Sequence, residues 1–484
     1  MIDFSKLEQY RENNRIEAKK AMGGLPGSIW ETYSAFANTL GGIILLGVEE
    51  WPDKTLHAVD LPDPDKLIKE FWNNVNNPNK TSVNLLSSKD VFVQEVGGNH
   101  IVVINVPRAE RSYRPVYLDG NPLATYRRNG EGDYKCTKEE YQAMVRDASV
   151  RTQDMLVLNE MDLGVFHPES VRSYRQRMRL SRPGHVWESL ENEEFLLKLG
   201  AVGIGSDGKK HPTSAGLLMF GNEYDIVREF NAYFLDYQEQ YDADTRWTDR
   251  VISSSGDWSG NVYDFYFRIY NRLIQDIKVP FRMDGGNRVD DTPVHQALRE
   301  ALANCLVNAD YYGRQGLVIL KKRDGITMSN PGSFRIELDA AKSGGVSDPR
   351  NGTMLKMFNL IDIGERAGSG IPNIFRVWRE QGWAAPTFTE QLEPERTILS
   401  LTFEKIGDKK SVIKIGDKKS VINEKMKETI IAYLTDHAEA KTAEIAAYIG
   451  LKLSRTRDYL NELIAEDIVV AEGGNRNRTY RLRS

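Results

Sequence analysis

Two residues of one predicted helix carry side chains that could do chemistry. Glu300 and Asn304 lie one turn apart in the segment 293–310, where apolar residues recur at helical spacing. Residues at this spacing project from the same face, so both side chains point at the same spot. A carboxylate can take a proton from water and an amide oxygen can hold Mg²⁺, so the pair could hydrolyse a nucleotide. The same spacing is also typical of a solvated helix edge.

The segments that follow this helix favour the hydrolysis interpretation. Glycine-rich turns at the start of a helix leave backbone N–H groups free to bind phosphate, and they allow close approach of the chain. Such a turn at 364–370 opens a predicted helix at 371–381. Before it come two predicted strands at 316–320 and 326–329 and a tight turn, Asn330-Pro331-Gly332. A lid-like stretch rich in Gly, Ser and Asn follows at 343–353.

This ordered set resembles the GHKL-type ATP-binding fold, in the divergent form found at the end of proteins described as RecG-like. The resemblance covers about 290–405. It implies that ATP and Mg²⁺ are the cofactors, that Glu300 activates water and that Asn304 holds the Mg²⁺. It also implies three sets of nucleotide contacts. Asn330 and Gly332 would lie at the adenine end, and Arg350 and Asn351 in the lid. Gly368, Ser369 and Gly370 would contact the phosphates.

The sequence departs from the family pattern at two positions. Asn330 replaces the Asp that reads adenine, and Asn308 stands where relatives often have His. An amide oxygen can still accept a hydrogen bond from an exocyclic amine, so adenine remains compatible with the site. The departures leave the preference for adenine over guanine open, and also the choice between hydrolysis and binding alone.

A second motif lies in the first 145 residues. A predicted helix at 28–40 ends at Gly41-Gly42 and leads into a short buried strand at 43–48. The stretch Ser34-Ala-Phe-Ala-Asn-Thr-Leu-Gly-Gly-Ile-Ile-Leu-Leu-Gly47 resembles the AlbA-type DNA-binding domain of the Schlafen group. The double glycine and the apolar strand serve as turn and core, so function has to rest on other residues.

One function for this domain is nucleic-acid binding. Guanidinium groups pair with phosphates, and tyrosine rings can stack on unpaired bases. Five arginines, interleaved with tyrosines, are the candidates: Arg108, Arg111, Arg114, Arg127 and Arg128. An ordinary exposed strand can carry the same mixture.

The alternative function is cleavage of nucleic acid. Schlafen-family nucleases carry three carboxylates, and the resemblance places Glu12, Glu17 and Glu50 at their positions. Three converging carboxylates bind Mg²⁺ or Mn²⁺ and could activate water for phosphodiester cleavage. The third position is Glu where those nucleases have Asp, which lengthens the side chain by one methylene.

The last sixty residues predict a winged helix-turn-helix. Three predicted helices, with Thr442 and Ser454 as caps of the second and third, precede a hairpin at 468–471 and 479–482. Arginine can pair with guanine in the major groove or hold a phosphate. The recognition helix would present Arg455, Thr456, Arg457 and Tyr459, and the wing would present Arg476 and Arg478. A protein–protein or dimerisation module is the alternative.

Composition restricts the cellular setting. The 484-residue chain has a formal net charge of −5, so attraction to nucleic acid must come from local patches. No apolar run approaches the roughly 20 residues that cross a bilayer, and the first residues lack the apolar run typical of a signal peptide, so we expect none. Two distant cysteines, Cys136 and Cys305, indicate neither a disulfide framework nor a metal site. We therefore expect a cytoplasmic protein without membrane contact.

These observations predict a multidomain α/β (α+β) protein. In the least legible part, the sequence predicts helices at 171–180 and 190–199 and a buried strand within 211–221. The expected order is an AlbA/Schlafen-like domain at 1–145, a connecting α/β segment at 150–290, a GHKL-like ATP-binding domain at 291–404, a duplicated Lys-rich linker at 405–422 and the winged helix at 423–484.

The leading hypothesis is an ATP-controlled DNA-binding protein that acts as a homodimer, as a transcriptional regulator or, by implication of the resemblance, a defence-system component. A metal-dependent nuclease gated by ATP is the alternative. The RecG-like resemblance does not extend to helicase activity, because the sequence contains no Gly-x₄-Gly-Lys-Ser/Thr loop.

Overall fold

A computed structural model provides the fold. It describes residues 2–241, 246–275, 277, 282–284, 287–289, 292–364 and 368–405, and in the C-terminal part 430–431, 433–435, 437, 439–449, 456, 459–460, 463–464, 468–472 and 479–482. Contacts divide the chain into two compact units, Met1–Ile406 and Gly407–Ser484. In the described residues no helix is both long enough and apolar enough to span a membrane.

The N-terminal part of the first unit contains nine short strands and three helices among its described residues. The strands are β1 (Ile16–Lys19), β2 (Gly42–Leu46), β3 (Val48–Glu50), β4 (Leu56–Ala58), β5 (Val91–Val96), β6 (Asn99–Val106), β7 (Tyr117–Leu118), β8 (Asn121–Asn129) and β9 (Gly132–Lys135). The helices are α1 (Ile29–Asn38), α2 (Pro64–Val75) and α3 (Lys138–Ala148). Four strands form a sheet in the order β1-β2-β6-β5, and β7-β8-β9 form another.

Alternation along β2 explains why this apolar strand is buried on both faces. Ile44 and Leu46 point into one hydrophobic cluster, and Leu45 points into another on the opposite side of the sheet. Gly41, with a φ of +71°, ends the preceding segment where a side chain would crowd the backbone of Arg108. The predicted helix, double glycine and strand are therefore present as structural elements.

Asn38 fixes helix α1 against the second sheet. Its side-chain amide donates to the carbonyl of Val116 at 2.8 Å and to that of Tyr126 at 3.1 Å, and its oxygen accepts from Val116 N at 2.8 Å. Ser34 joins the same network by donating to the Val116 carbonyl at 2.7 Å. The polar residues of the Ser34–Gly47 stretch thus satisfy buried backbone groups.

The rest of the first unit shares one hydrophobic core, which runs from Leu158 to Leu401. Its helices are α4 (Pro168–Ser181), α5 (Asn192–Leu199), α6 (Ser214–Phe220), α7 (Glu223–Glu229), α8 (Val262–Ile274), α9 (Pro293–Val307), α10 (Leu338–Ser343), α11 (Gly352–Asn359) and α12 (Gly370–Glu380). Its strands are β10 (Val202–Ile204), β11 (Lys210–Pro212), β12 (Leu235–Glu239), β13 (Asp249–Ile252), β14 (Arg282–Asp284), β15 (Asn287–Val289), β16 (Leu317–Lys321), β17 (Gly325–Pro331), β18 (Thr387–Leu392) and β19 (Glu395–Thr402).

A six-stranded sheet organises this core in the order β13-β12-β16-β17-β19-β18. Strand β12 runs parallel to β16, and the other neighbours are antiparallel. Two of the six strands come from the segment that the sequence treats as a connection. The boundary expected near residue 290 therefore does not separate two sheets, and the parts before and after it form one sheet.

Helix α6 replaces the buried strand predicted within 211–221. Every residue from Ser214 to Phe220 is buried, so the apolar run has no periodicity that could separate a helix from a strand. The side chain of Thr213 caps the helix by accepting from Gly216 N at 3.0 Å. Gly216 is required by packing, because a side chain there would overlap the carbonyl of Ala201.

Among its described residues the second unit has three strands, β20 (Ala440–Lys441), β21 (Val469–Glu472) and β22 (Thr479–Leu482), and helix α13 (Thr442–Ile449). The strands pair in the order β20-β22-β21, and β21 is antiparallel to β22, as the predicted hairpin requires. Their small core includes Ile430, Ile445, Leu460, Leu463 and Tyr480.

Candidate nucleotide-binding site

A cavity of about 1030 Å³ opens between helix α9, the sheet and the start of helix α12. Met328 and Leu399 contribute apolar side chains from the sheet, and Ile371 and Ile374 contribute from α12. The fourth wall is the segment from Ser343 to Thr353, in which 346–350 line the cavity. An apolar interior with a few polar groups on its wall is typical of a cofactor site.

Glu300 and Asn304 both line this cavity from α9. The carboxylate of Glu300 lies against Gly370 at the start of α12, and a side chain on Gly370 would collide with it. The side-chain amide of Asn304 has no hydrogen-bond partner in the part of the chain that the structure describes. The two side chains predicted to act together therefore face one space, at its glycine-rich end.

Asn330 lies on β17 at the sheet side of the cavity and is 6% exposed. Its amide nitrogen donates to the carbonyl of Pro331 at 3.4 Å, and its oxygen has no partner within the described ranges. Thr397 of β19 is its register partner and lines the same cavity. An amide oxygen in this position can accept from the amine of a base.

The glycine turn meets the lid segment at Gly368, which has a φ of +68°. A side chain on Gly368 would crowd the backbone of Val346 and Gly345. Ser369 precedes the first turn of α12, where helix N–H groups lack helical partners. A second, open cleft of about 1880 Å³ lies on the outer side of this turn, lined in part by Arg182, Arg299 and Arg376. Residues 365–367 lie outside the described residues.

Arg350 has a structural role that its sequence position did not indicate. It lines the cavity, but its guanidinium group binds Asp147 of α3, with Nε–Oδ1 at 2.9 Å and Nη2–Oδ2 at 2.7 Å. It also donates to the carbonyls of Asn308 at 2.7 Å and Ser333 at 3.1 Å. Burial alone would lower the pKa of Arg350, but the carboxylate of Asp147 outweighs it and raises that pKa.

Two further residues predicted to touch nucleotide lie behind the cavity wall. Asn351 donates from its amide to the carbonyls of Val307 at 3.1 Å and Ala309 at 2.8 Å, and so closes the C-terminal end of α9. Gly332, with a φ of +95°, leaves the space that the Arg350 guanidinium occupies. Both residues support the wall from behind, and neither lines the cavity.

Sequence reasoning missed Arg335 and Asp348, which line the cavity and lie 3.4 Å apart at Nη2 and Oδ1. Burial lowers the pKa of Arg335, which remains a cation at neutral pH. Asp348 also forms an ion pair with Arg111 of the N-terminal part. Asp348 lies within the lid region 343–353 but Arg335 precedes it, and no local pattern indicates their pairing, which depends on the fold.

The three carboxylates of the N-terminal part interact electrostatically. Burial is the main cause that raises the pKa of Glu12, and the charges of Glu17 and Glu50 raise it further. Glu12 accepts from Ala18 N at 2.9 Å, while Glu17 is paired with Arg128 at 2.8 Å. In the described residues no group of three or more His, Cys, Asp or Glu side chains is arranged to hold a metal ion. Metal binding by Glu12, Glu17 and Glu50 stays a prediction.

Four of the five N-terminal arginines form internal ion pairs. Arg108 binds Glu390 at 2.5 and 3.0 Å, and Arg127 binds Glu395 at 3.3 Å. Arg128, 1% exposed, binds Glu17 and Asp133, and Arg111 pairs with Asp348. Arg114 is 7% exposed. These placements do not present the five guanidinium groups as an exposed surface for phosphates.

The C-terminal candidates divide into two groups. Arg455, Arg457, Arg476 and Arg478 lie outside the described residues. Thr456 and Tyr459, predicted to point away from the third helix, are 0% and 3% exposed, so that prediction is wrong for both. Tyr459 belongs to the small apolar core of this unit, which needs a large side chain on that face.

Comparison with known families gives four matches. Residues 12–137 match the model "Schlafen, AlbA_2", and residues 318–399 match "Putative ATP-dependent DNA helicase recG C-terminal". Residues 142–236 match "Domain of unknown function (DUF8451)", and residues 426–471 match "FaeA-like protein". The chain carries a Schlafen AlbA_2 domain and a RecG C-terminal domain. We call them the AlbA_2 domain and the RecG-type domain.

Two solved structures are similar to this chain, one over nearly its whole length and the other over about a quarter of it. The DIP2311 protein from Corynebacterium diphtheriae is 16% identical over 97% of this chain and 92% of its own, with a TM-score of 0.41. The N-terminal domain of a RecG-related protein from Nitrosomonas europaea is 32% identical over 28% of this chain and 95% of its own, with a TM-score of 0.23. Comparison with curated proteins gave no match.

The domain matches confirm the expected family resemblance and mixed α/β fold class. They associate the chain with nucleic acid, ATP and a divalent metal at the level of the domains. The RecG-type match begins after α9, so the assignment of Glu300 and Asn304 rests on the geometry of the cavity.

The raised pKa of Glu12 predicts a pH-dependent effect of Glu12→Gln. Because the folded-state pKa lies above the reference value of 4.5, the charged carboxylate destabilises the fold once the pH exceeds that value. Glutamine removes the charge and keeps an oxygen for Ala18 N. Thermal unfolding should show Glu12→Gln a few degrees more stable than the wild type at pH 8, with the difference vanishing toward pH 4. Glu70→Gln, an exposed change on α2, should show no such trend. A Glu12→Gln protein less stable at pH 8 would contradict the argument.

Proposed function

We propose that the protein binds ATP with Mg²⁺ in the cavity of the RecG-type domain and uses the nucleotide to control a contact with nucleic acid. One observation carries the proposal. A single cavity of about 1030 Å³ brings together Glu300, Asn304, Asn330 and the glycine turn at the start of α12. These groups come from separate parts of the chain. Each has the chemistry to contact one component of the bound nucleotide: the base, the phosphates, the Mg²⁺ or the attacking water.

The residues of the cavity fit distinct roles. Asn330 would accept from the amine of the base, within an apolar wall formed by residues such as Met328 and Leu399. The turn at Gly368 and Gly370 would present backbone N–H groups to phosphates. When bound, Mg²⁺ neutralises phosphate charge, and Asn304 supplies an oxygen to hold it. Glu300 would take the proton from the attacking water.

Contacts of the lid support nucleotide control of the N-terminal part. Asp348 and Arg350 line the cavity, and they pair with Arg111 and Asp147, which lie near or within α3. A nucleotide that shifts either lid residue would change an ion pair on the AlbA_2 side. ATP would therefore act on nucleic-acid contacts through a change in these pairs.

The Glu300→Gln variant tests the nucleotide site. If Glu300 is the base, ATP hydrolysis should fall by about a hundredfold or more while the Kd for ATP changes little, because the base acts on water. Asn304→Ala should instead weaken binding in Mg²⁺ by about tenfold. Calorimetric titration and phosphate release measure the two quantities.

Glu380→Gln is the matched control for this experiment. Glu380 lies at the other end of α12, where it pairs with Arg376 at 2.7 Å, and it does not line the cavity. It should leave both quantities unchanged. Absence of ATP binding by the wild-type protein in Mg²⁺ would reject the site. Binding without any turnover would reject hydrolysis and keep nucleotide control.

The C-terminal unit is the proposed DNA contact. Its β20-β22-β21 sheet, helix α13 and apolar core are compatible with a winged helix. Arg455 and Arg457 would then enter the major groove, and Arg476 and Arg478 would hold phosphates. A symmetric homodimer would join two modest half-site contacts, as transcriptional regulators do, and a role in cellular defence would use the same DNA contact.

Removal of the C-terminal unit tests this contact. A truncation that ends at Ile422 should lose at least tenfold in DNA affinity in a mobility-shift assay, and wild-type affinity should fall steeply with salt. Arg455→Ala should also relax sequence preference, whereas Arg478→Ala should weaken all sequences alike. Equal affinity of the truncated and full chains would assign the unit to assembly and move the DNA contact to the AlbA_2 domain.

Metal-dependent cleavage of nucleic acid is the second candidate function. It is favoured by the electrostatic interaction of Glu12 with Glu17 and Glu50 and by the buried Oε1 of Glu50, which has no hydrogen-bond partner in the described residues. A divalent cation would reduce the repulsion among the three carboxylates and would give the Oε1 of Glu50 a partner. Repulsion among carboxylates alone is equally compatible with a structural role.

Glu12→Gln separates these roles. With Mn²⁺ and single-stranded DNA or RNA, the wild type should cut and the variant should lose most of the activity, about a hundredfold. Mn²⁺ should also raise the unfolding temperature of the wild type more than that of Glu12→Gln. If the wild type does not cut, and if Mn²⁺ stabilises both proteins equally, the three carboxylates are structural residues. Glu70→Gln again serves as the control.

A further inference from the structure

Arg114 occupies a separate cavity where the AlbA_2 side meets the RecG-type side. The cavity is small and includes Arg108, Arg127 and Asp147 on one side and Ser333, Glu390 and Glu395 on the other. Arg114 is 7% exposed within it. Its wall contains neither Glu300 nor Asn304, so it is distinct from the nucleotide cavity.

The Arg114 guanidinium group has no partner in the described residues. Among these residues its side chain forms neither a hydrogen bond nor an ion pair, and its Nε is buried without an acceptor. A guanidinium carries five N–H donors, and a buried charge without a partner is strongly unfavourable. Burial, together with the charge of Arg108, lowers the pKa of Arg114 to about 10, although the nearby carboxylates act in the opposite direction. The group is still a cation at neutral pH.

The carboxylates around Arg114 are already engaged. Glu390 receives both Nη groups of Arg108, at 2.5 and 3.0 Å. Glu395 is paired with Arg127 at 3.3 Å, and Asp147 receives two hydrogen bonds from Arg350. Each acid in the wall is therefore bound to another arginine, and Arg114 has no carboxylate of its own.

We propose that this cavity binds a small tetrahedral oxyanion, of the size and charge of phosphate, through the guanidinium of Arg114. The planar fork of an arginine matches an oxyanion with two parallel hydrogen bonds. The anion supplies acceptors to the enclosed N–H groups of Arg114 and a negative charge beside its guanidinium. It also sits beside Asp147, whose partner Arg350 lines the nucleotide cavity. The anion would therefore stabilise the contact between the two sides of the first unit.

The experiment follows the thermal unfolding of the full chain in buffer free of phosphate and sulfate, and then with added phosphate. The wild type should gain about 3 °C at a saturating concentration, because a ligand of the folded state stabilises it. Arg114→Met should be at least as stable as the wild type without phosphate, since it removes an unpaired buried charge. It should gain nothing from phosphate. The order of stability should therefore reverse when phosphate is added.

Further variants separate this site from the nucleotide cavity. Arg114→Lys keeps the charge but loses the fork, and should bind phosphate about tenfold more weakly. Arg179→Met, an exposed change on α4, should respond to phosphate like the wild type. Asn304→Ala should keep the phosphate response, and Arg114→Met should keep the response to ATP with Mg²⁺. These two arms distinguish failure of the anion site from failure of the proposed nucleotide site.

Three outcomes would overturn the proposal. If phosphate and sulfate leave the wild type unchanged, ordered water is sufficient for Arg114 and no anion site exists. If phosphate stabilises Arg114→Met as much as the wild type, the anion binds elsewhere. A phosphate effect that disappears in Asn304→Ala but persists in Arg114→Met would assign it to the nucleotide cavity.

Discussion

The buried ion pair between Asp147 and Arg350 joins the N-terminal part of the first unit to the wall of the nucleotide cavity. One guanidinium binds the end of α3, the end of α9 and the chain after β17, because it also donates to the carbonyls of Asn308 and Ser333. Ion pairs of this kind gain little over apolar packing, but removal of one partner costs about 3–5 kcal/mol. The ion pair therefore contributes more to the relative positions of these segments than to stability. Because Arg350 also lines the nucleotide cavity, the same contacts fix the position of that part of the cavity wall.

Local sequence patterns predicted the elements of the nucleotide cavity better than their assembly. The periodicity of α9 and the glycine turn before α12 placed Glu300 and Gly370 on facing elements, and these residues do meet. The pairing of Asn330 with Thr397 depends on the register of β17 with β19, which no local pattern contains. Helix α6 was missed because a segment buried on every side lacks the periodicity that distinguishes helix from strand.

The arginines show why residue type does not predict exposure. Arg108, Arg111 and Arg127 have the composition of a phosphate-binding surface, yet their partners Glu390, Asp348 and Glu395 lie more than two hundred residues further along the chain. Sequence separation of this size hides the match of charges until the fold is known. A stretch of arginines is as compatible with an internal interface as with a surface for nucleic acid. The positions of the partner carboxylates in the fold decide between the two.

The parallel pairing of β12 with β16 has a consequence for anyone who divides this chain for expression. A fragment that begins near residue 290 would lack β12 and β13, and the backbone N–H and C=O groups of 317–321 would become the edge of the remaining sheet. Unpaired sheet edges recruit strands from other molecules and lead to aggregation. Insolubility of such a fragment would report the missing strands and would carry no information about whether the intact protein binds nucleotide.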